Sequence, residues 1–436
     1  MSRRWPAGTA PPALATVNDS WGIALMLGLM VKEVPFLVLV MLSALSQIPV
    51  GRHLAAARAL GYARGVAWIK VILPQLWPMI RLPVLVVLSY GLSVVDMAII
   101  LGPSNPPTLA VALTRWFADP DPAMILPASA GALLQAGLVA LAAGLVLGAE
   151  AAARPLGRWW LRRGGRGLSA GPGLRLAGGA VAGLMALGVL SLLALALWSL
   201  AWRWPWPAVL PQEWSAALWA GAGGGWADAL ANTVILAAAS AGLGLVLAVL
   251  WLEAETGARF AAWVRPLVYL PLLVPQIGFL YGLNVGLLQI GLSGGMAAVV
   301  WAQLLFVFPY VIIALGDPWR RLDPRLIRAA AALGAGPLRR LWAVKLPVLL
   351  RPVLTAAAIG VAVSVAQYLP TLFMGAGRIA TLTTEAVTLS SGADRRVTGV
   401  YGTLQAAVPL IGYAAALAVP ALVHRNRRAL WGAAPA

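Results

Sequence analysis

The chain has 436 residues, of which 61% are hydrophobic and 11% charged, with a net charge of +18 and a mean hydropathy of +0.85. A soluble domain of this length needs a polar surface that such a composition does not supply, so a soluble globular protein is excluded. Cysteine is absent, which excludes disulfides and thiolate metal sites, and two distant histidines, His53 and His424, are too few for a metal cluster.

Residues 1–21 form an N-terminal tail with Arg3 and Arg4 but no apolar core behind them, which is not the pattern of a cleavable signal peptide. Nine apolar runs follow, near 22–45, 79–101, 123–148, 177–200, 229–251, 264–290, 296–315, 349–370 and 400–423. Each approaches the length that crosses hydrocarbon, and none alternates as a barrel strand does. Helices satisfy their own backbone groups in lipid, so the predicted fold is all-α, a polytopic membrane protein of about nine spans.

The first run carries Lys32 and Glu33 at mid-span, followed by Pro35. Charges at that depth are costly and are functional hypotheses by default. Adjacent helical positions point about 100° apart, so the two cannot face each other. They read as glue inside the helix bundle or as substrate contacts. Asp96, toward the outer end of the second run, reads either as a contact for a cationic solute or as a cap on an irregular helix end.

If successive runs alternate sides, segments 46–78, 150–176, 252–263 with Arg265, 316–348 with Arg351, and 424–436 share one side. They hold 23 basic and 5 acidic residues. Segments 1–21, 102–122, 201–228 and 371–399 hold 7 of each. The whole excess of positive charge lies on one side, which is the positive-inside pattern and not a nucleic-acid footprint, so no nucleic-acid partner is expected. That side, with the C-terminus, is predicted to be cytoplasmic. The opposite side carries WSLAWRWPWPAVLPQEW (198–214), whose tryptophans read as an aromatic belt at the headgroup level. His53 and His424 flank basic segments and read as ordinary solvated residues.

The stretch LAAARALGYARGVAWIKVILPQLWP (54–78) has a second version, RAAAALGAGPLRRLWAVKLPVLLRP (328–352). Gly61 aligns with Gly334 and Leu73-Pro74 with Leu346-Pro347, at a constant offset of 273 residues. The same offset pairs Gly102 with Gly375 and Leu109 with Leu382. The predicted organisation is a first repeat over 22–149, a basic Gly/Arg-rich linker over 150–176, a second repeat over 177–424 and a tail over 425–436. The second repeat has six spans and the first only three, equivalent to the last three of the second. The first is therefore expected to lack its initial helices, to receive them separately, or to begin at a misplaced start.

In the second copy Asp323 is suited to N-cap a helix that opens on Pro324 and runs through alanines to Gly334. Glycine there permits a left-handed stop, and Pro337 restarts a short helix. Ala329, Ala330, Ala331 and Ala332 let a partner backbone approach closely. Such a bent prong suits docking into a groove of another protein.

The spacing A-A-x3-G-x9-[IV]-x-L-P, present as Ala56-Ala57, Gly61 and Leu73-Pro74 and again as Ala329-Ala330, Gly334 and Leu346-Pro347, resembles the cytoplasmic loop of binding-protein-dependent ABC importer permeases of the type I fold. The likeness covers most of 22–424 and is nearest to fused permeases carrying both repeats in one chain. The family's loop usually begins Glu-Ala-Ala. Here the glutamate position is Ala55 in one copy and Arg328 in the other, so any pairing made by that glutamate does not carry over.

The resemblance implies a multi-pass permease subunit of the prokaryotic plasma membrane that moves a small molecule or ion by alternating access. It implies ATPase-coupling loops at Ala55, Ala56, Ala57, Gly61, Leu73 and Pro74, and at Arg328, Ala329, Ala330, Gly334, Leu346 and Pro347. Two separate ATP-binding cassette subunits would dock there and bind ATP and Mg, with no cofactor held by this chain. An extracytoplasmic solute-binding protein would deliver substrate to the neutral face. The chain has no G-x-x-x-x-G-K-[ST] phosphate loop, so by this reading it is not an enzyme.

Path-lining candidates, by position, are Asp96, Gly102, Gln367, Tyr368, Thr371 and Gly375, and the Gly-rich MGAGR (374–378) reads as a loop near an outer gate. Similar fused permeases are associated with thiamine-like compounds, ferric ions, polyamines or oxyanions, and all four classes stay open at this point. The competing class is an ion-coupled secondary transporter, which needs a buried acidic relay for which only Glu33 and Asp96 are available.

Overall fold

The computed structural model describes residues 17–45, 47–167, 171–206, 208–222, 225–255, 261–392, 394–423 and 425. Among these, seven helices are long and apolar enough to cross a membrane: Ile23–Leu45, Arg64–Ser93, Pro122–Arg162, Gly173–Leu200, Trp226–Glu255, Met296–Arg320 and Arg395–Val423. An eighth candidate is a bent pair, Pro337–Val348 with Leu350–Val365, turned by 81°. The bend falls at Leu349, where Pro352 supplies no N–H to the Val348 carbonyl and its ring crowds that oxygen.

The polytopic all-α class is as expected, and the span count is corrected. Residues 264–290 are not one helix but fall into three successive ones, Ala261–Val268, Leu270–Leu273 and Gln276–Gln289. Pro271 and Pro275 remove backbone donors near both breaks, and Pro275 biases Val274 out of the helical region. Among its described residues the basic linker is also more helical than its Gly/Arg content suggests. Helix Ile125–Arg162 continues through Pro155, and the next helix begins at Gly171.

Two compact units divide the chain. One holds the described residues of Pro11–Ala194 together with Leu272–Phe279. In it Ile23–Leu45 packs along Arg64–Ser93 through buried Ala44, Leu76 and Ile80, with Val40, Met41 and Trp77 around them. The helix Gly171–Leu200 contributes its N-terminal part, and a Cβ at Gly188 would lie 3.1 Å from a Val31 methyl.

The other unit holds the described residues of Leu195–Pro271 and Leu280–Ala436. Its core joins Trp226–Glu255, Met296–Arg320 and Leu350–Val365 through Ala248, Leu252, Val307, Val311, Leu315 and Ala356, none more than 1% exposed. Lipid gives apolar helices no hydrophobic reason to associate, so close packing through small residues carries the contact. Gly360 is an instance: a Cβ there would lie 3.1 Å from that of Ala241.

The repeat is structural as well as sequential. Helices Arg64–Ala67, Asp96–Leu101 and Leu109–Phe117 in the first unit have counterparts Pro337–Arg340, Leu369–Met374 and Leu382–Ser390 in the second, residue for residue at the 273-residue offset. A π-helical turn, Trp68–Ile72, likewise has its counterpart in Leu341–Lys345. Pro74 and Pro347 account for those turns. Neither can donate to the carbonyl four residues back, and the ladder widens to the i→i+5 spacing just before them.

Candidate functional site

The first loop is the helix Val50–Ala59 followed by Leu60 and Gly61 at φ +82°. The Gly61 N–H donates to Arg58 O at 2.8 Å and the Tyr62 N–H to Ala57 O at 3.0 Å. The second loop is Pro324–Ala332, Leu333 and Gly334 at φ +80°. There the Gly334 N–H donates to Ala331 O at 2.9 Å and the Ala335 N–H to Ala330 O at 3.0 Å. Both are Schellman closures, in which a residue without Cβ takes the left-handed conformation. Asp323 caps the second helix as predicted, its Oδ1 accepting from the Arg325 N–H at 2.8 Å.

Each loop therefore gathers its predicted residues on one short bent prong. Ala55 and Ala56 are exposed and Ala57 is buried, while Arg328 and Ala329 are exposed and Ala330 half-buried. Leu73-Pro74 and Leu346-Pro347 follow directly after the π-helical turns. Lys345, in the second of these turns, pairs with Glu253, and its Nζ lies 5.7 Å from the Trp319 ring centroid.

In the first unit Lys32 donates to Tyr90 Oη, with its Nζ 4.1 Å from that ring's centroid. The contact ties Ile23–Leu45 to Arg64–Ser93, with Lys32 exposed and not inside the bundle. Glu33 is half-buried on the same helix. Asp96 opens the helix Asp96–Leu101 just after a break at Val94 and Val95, where the positive end of the helix dipole favours a carboxylate. Gly102 lines a cavity of about 190 Å³ with Ala98, Pro103, Ser104, Thr114 and Arg115.

In the second unit Gln367 and Thr371 are 8% and 1% exposed and belong to a buried polar set centred on Gln303. Gln303 Oε1 accepts from Ser240 Oγ at 3.1 Å and also from Ser364 Oγ. Its Nε2 donates to Thr371 Oγ1 at 3.1 Å, and its backbone oxygen accepts from Gln367 Nε2 at 3.1 Å. Tyr368 and Gly375 bracket the short helix Leu369–Met374. A Cβ at Gly375 would lie 2.6 Å from Thr371 O, and one at Gly102 would lie 2.6 Å from Ala98 O, so both positions need glycine for the same reason.

Sequence reasoning passed over Gln303, Ser240 and Ser364. The available signal was a glutamine inside the apolar MAAVVWAQLLFVFPY. The first repeat has Met30, Gly91, Val94 and Ala98 where the second has Gln303, Ser364, Gln367 and Thr371, so this polar set is peculiar to one copy.

The tryptophan-rich 198–214 also carries secondary structure. Ala201–Arg203 and Glu213–Trp214 form an antiparallel ladder, and the Trp198 and Trp204 ring centroids lie 4.6 Å apart. Arg396 donates to Trp202 O at 3.2 Å and pairs with Asp394 at 2.7 Å. The Arg396 hydrogen bond holds the Asp394 carboxyl below the usual carboxylate range. His53 is half-buried, with Nδ1 3.4 Å from Gln75 Nε2, and His424 lies outside the described residues.

A polytopic all-α chain bearing two copies of this bent loop, one leading into the long helix Arg64–Ser93 and the other into the bent pair Pro337–Val348 and Leu350–Val365, defines a class: the permease subunit of a binding-protein-dependent ABC importer. Comparison with known proteins agrees. Residues 240–424 match the family model of the binding-protein-dependent transport system inner membrane component. The inner membrane ABC transporter permease protein YnjC of Escherichia coli K12 is 35% identical over 420 residues, covering 96% of this chain and 76% of that protein. The molybdenum transport system permease protein ModB of Mycobacterium tuberculosis is 32% identical over 162 residues, 34% of this chain and 59% of that protein.

The chain belongs to the family of binding-protein-dependent ABC transporter permeases. It is a multi-pass inner-membrane transport subunit, of a family that works with ATPase subunits and a binding protein. The ion-coupled secondary transporter, carried as the alternative, falls with that membership.

Proposed function

We propose that the loops 50–74 and 324–347 are the docking levers of this importer, lying on the cytoplasmic side and seating one ATP-binding cassette subunit each. Those subunits bind ATP and Mg, and their closure is transmitted through Arg64–Ser93 and Pro337–Val348 to the spans. A solute-binding protein delivers a small solute to the opposite face, and alternating access passes it across the membrane. The observation that carries this reading is the residue-for-residue recurrence of helix, Schellman turn, short helix, π turn and Leu-Pro at two places in one chain. The positive excess on the segments that hold both loops supports their cytoplasmic placement.

The test is reconstitution with the partner ATPase and binding protein in proteoliposomes. ATP-dependent uptake that is lost when either loop is deleted, with the chain still inserted, supports the reading. Uptake that continues without any ATPase subunit contradicts it.

A further inference from the structure

The two loops share a backbone but differ in what covers them. In the first, Gly65, Val66, Ala67, Lys70 and Ile72 are buried, with Lys70 only 7% exposed. Their counterparts Leu338, Arg339 and Ala343 are exposed, Leu338 at 73%, and Arg340 and Lys345 are half-buried. The sequences agree with this: small and apolar residues stand where the second copy carries leucine and arginine.

What covers the first loop is the end of helix Ile125–Arg162 and the turn after it. Lys70 Nζ donates to Gly165 O at 2.7 Å and to Trp160 O at 3.3 Å. The same ammonium lies 4.4 Å from the Trp160 ring centroid and 5.3 Å from that of Tyr62. A buried ammonium is costly unless its donors and charge are met, and two carbonyls with two aromatic faces meet them. Around this anchor the Ala63 N–H donates to Arg166 O at 3.2 Å. A Cβ at Gly167, at φ +71°, would lie 2.3 Å from a Val66 methyl, and one at Gly61 would lie 3.3 Å from Arg166 Cδ. Gly334 has no described residue within 4 Å of the equivalent point.

We infer that the inter-repeat segment 160–167 is a built-in part of the first coupling loop, with Lys70 as its positioning residue, so that the two ATP-binding subunits meet unlike docking sites. One site is a composite of loop and linker. The other, among the described residues, is a loop without such a cover, held from its base by Lys345 and Glu253. Motion of the first loop is thereby tied to helix Ile125–Arg162 as well as to its own span. The inference rests on the docking role proposed above for both loops.

The chain has no native cysteine, so single cysteines report one position each. Arg58→Cys and Ala331→Cys are counterparts on the two loops, and both positions are exposed. In the assembled transporter, each is cross-linked by a thiol reagent to a cysteine placed on the ATPase subunit. Lys70→Met is expected to lower cross-linking from position 58 by about fivefold and leave position 331 unchanged. Lys70→Arg, whose guanidinium also reaches two carbonyls, restores position 58. Position 331 in the same chain certifies folding and assembly. If Lys70→Met fails to assemble, Trp160→Leu repeats the test from the linker side. Equal loss at both positions in an assembled complex, or no loss at either, overturns the inference. Absence of cross-links from both positions in the parent instead overturns the docking reading, and the inference with it.

Discussion

Gly61 and Gly334 stand 273 residues apart at φ +82° and +80°, each ending a helix on the same pair of backbone hydrogen bonds. The sequences that begin at them differ: GYARGVAWIK at one, GAGPLRRLWA at the other. What is retained is the turn, the short helix, the π-helical turn and the Leu-Pro beyond it. Geometry is thus kept where surface chemistry has changed.

Since, among the described residues, no atom lies within 4 Å of a Cβ built on Gly334, substitution there acts through backbone strain. A β-branched residue in the left-handed region costs about 1–2 kcal/mol, whereas asparagine visits that region readily. Gly334→Asn is expected to keep the loop closed. Gly334→Val is expected to open it, seen as faster limited proteolysis between 332 and 338.

Gln303 is the hub of the buried polar set. Gln303→Leu removes the acceptor shared by the Ser240 and Ser364 hydroxyls and the donor to Thr371, a cost of roughly 1–3 kcal/mol, while Gln367 keeps its bond to the backbone oxygen. The expected result is a lower melting temperature in detergent for Gln303→Leu, with Gln303→Asn intermediate. An unchanged melting temperature would contradict the described network.

Lys345 and Glu253 have side chains 14% and 31% exposed, so their pairing is partly shielded from water. Glu253→Lys or Lys345→Glu alone is expected to destabilise the second loop by like-charge contact. The exchanged double variant is expected to recover most of the loss. A double-mutant cycle on melting temperature measures the coupling, expected on the order of 1 kcal/mol.

Asp394 is held below the ordinary carboxylate range by Arg396. A depressed native pKa stabilises the fold above the unfolded value, about 3.9, and that stability is lost as pH falls through the native value. Hydrogen exchange at 201–203 is therefore expected to show constant protection from neutral to mildly acidic pH and a loss below it. Asp394→Asn is expected to show weakened protection already at neutral pH.

Much of this architecture is legible in the sequence because it is written in apolar length and in glycine and proline. Asp323-Pro324, Gly334 and Pro337 dictate the prong locally, and the structure follows them. The stretch 264–290 misleads because composition alone reads it as a span, while Pro271 and Pro275 divide it. The Gln303 set was hidden because its members are far apart in sequence and each is tolerable alone in an apolar run. Lys70 reads as one more basic residue on the charged side until Trp160 and Gly165, some ninety residues away, close over it.

If the two loops transmit ATPase closure to the spans, the quantity that reports it is solute moved per ATP hydrolysed in proteoliposomes, for Gly61→Val and Gly334→Val beside the parent. ATP hydrolysis is expected to continue while uptake falls, so that the ratio drops for each variant. Normal uptake and an unchanged ratio in both variants would contradict it.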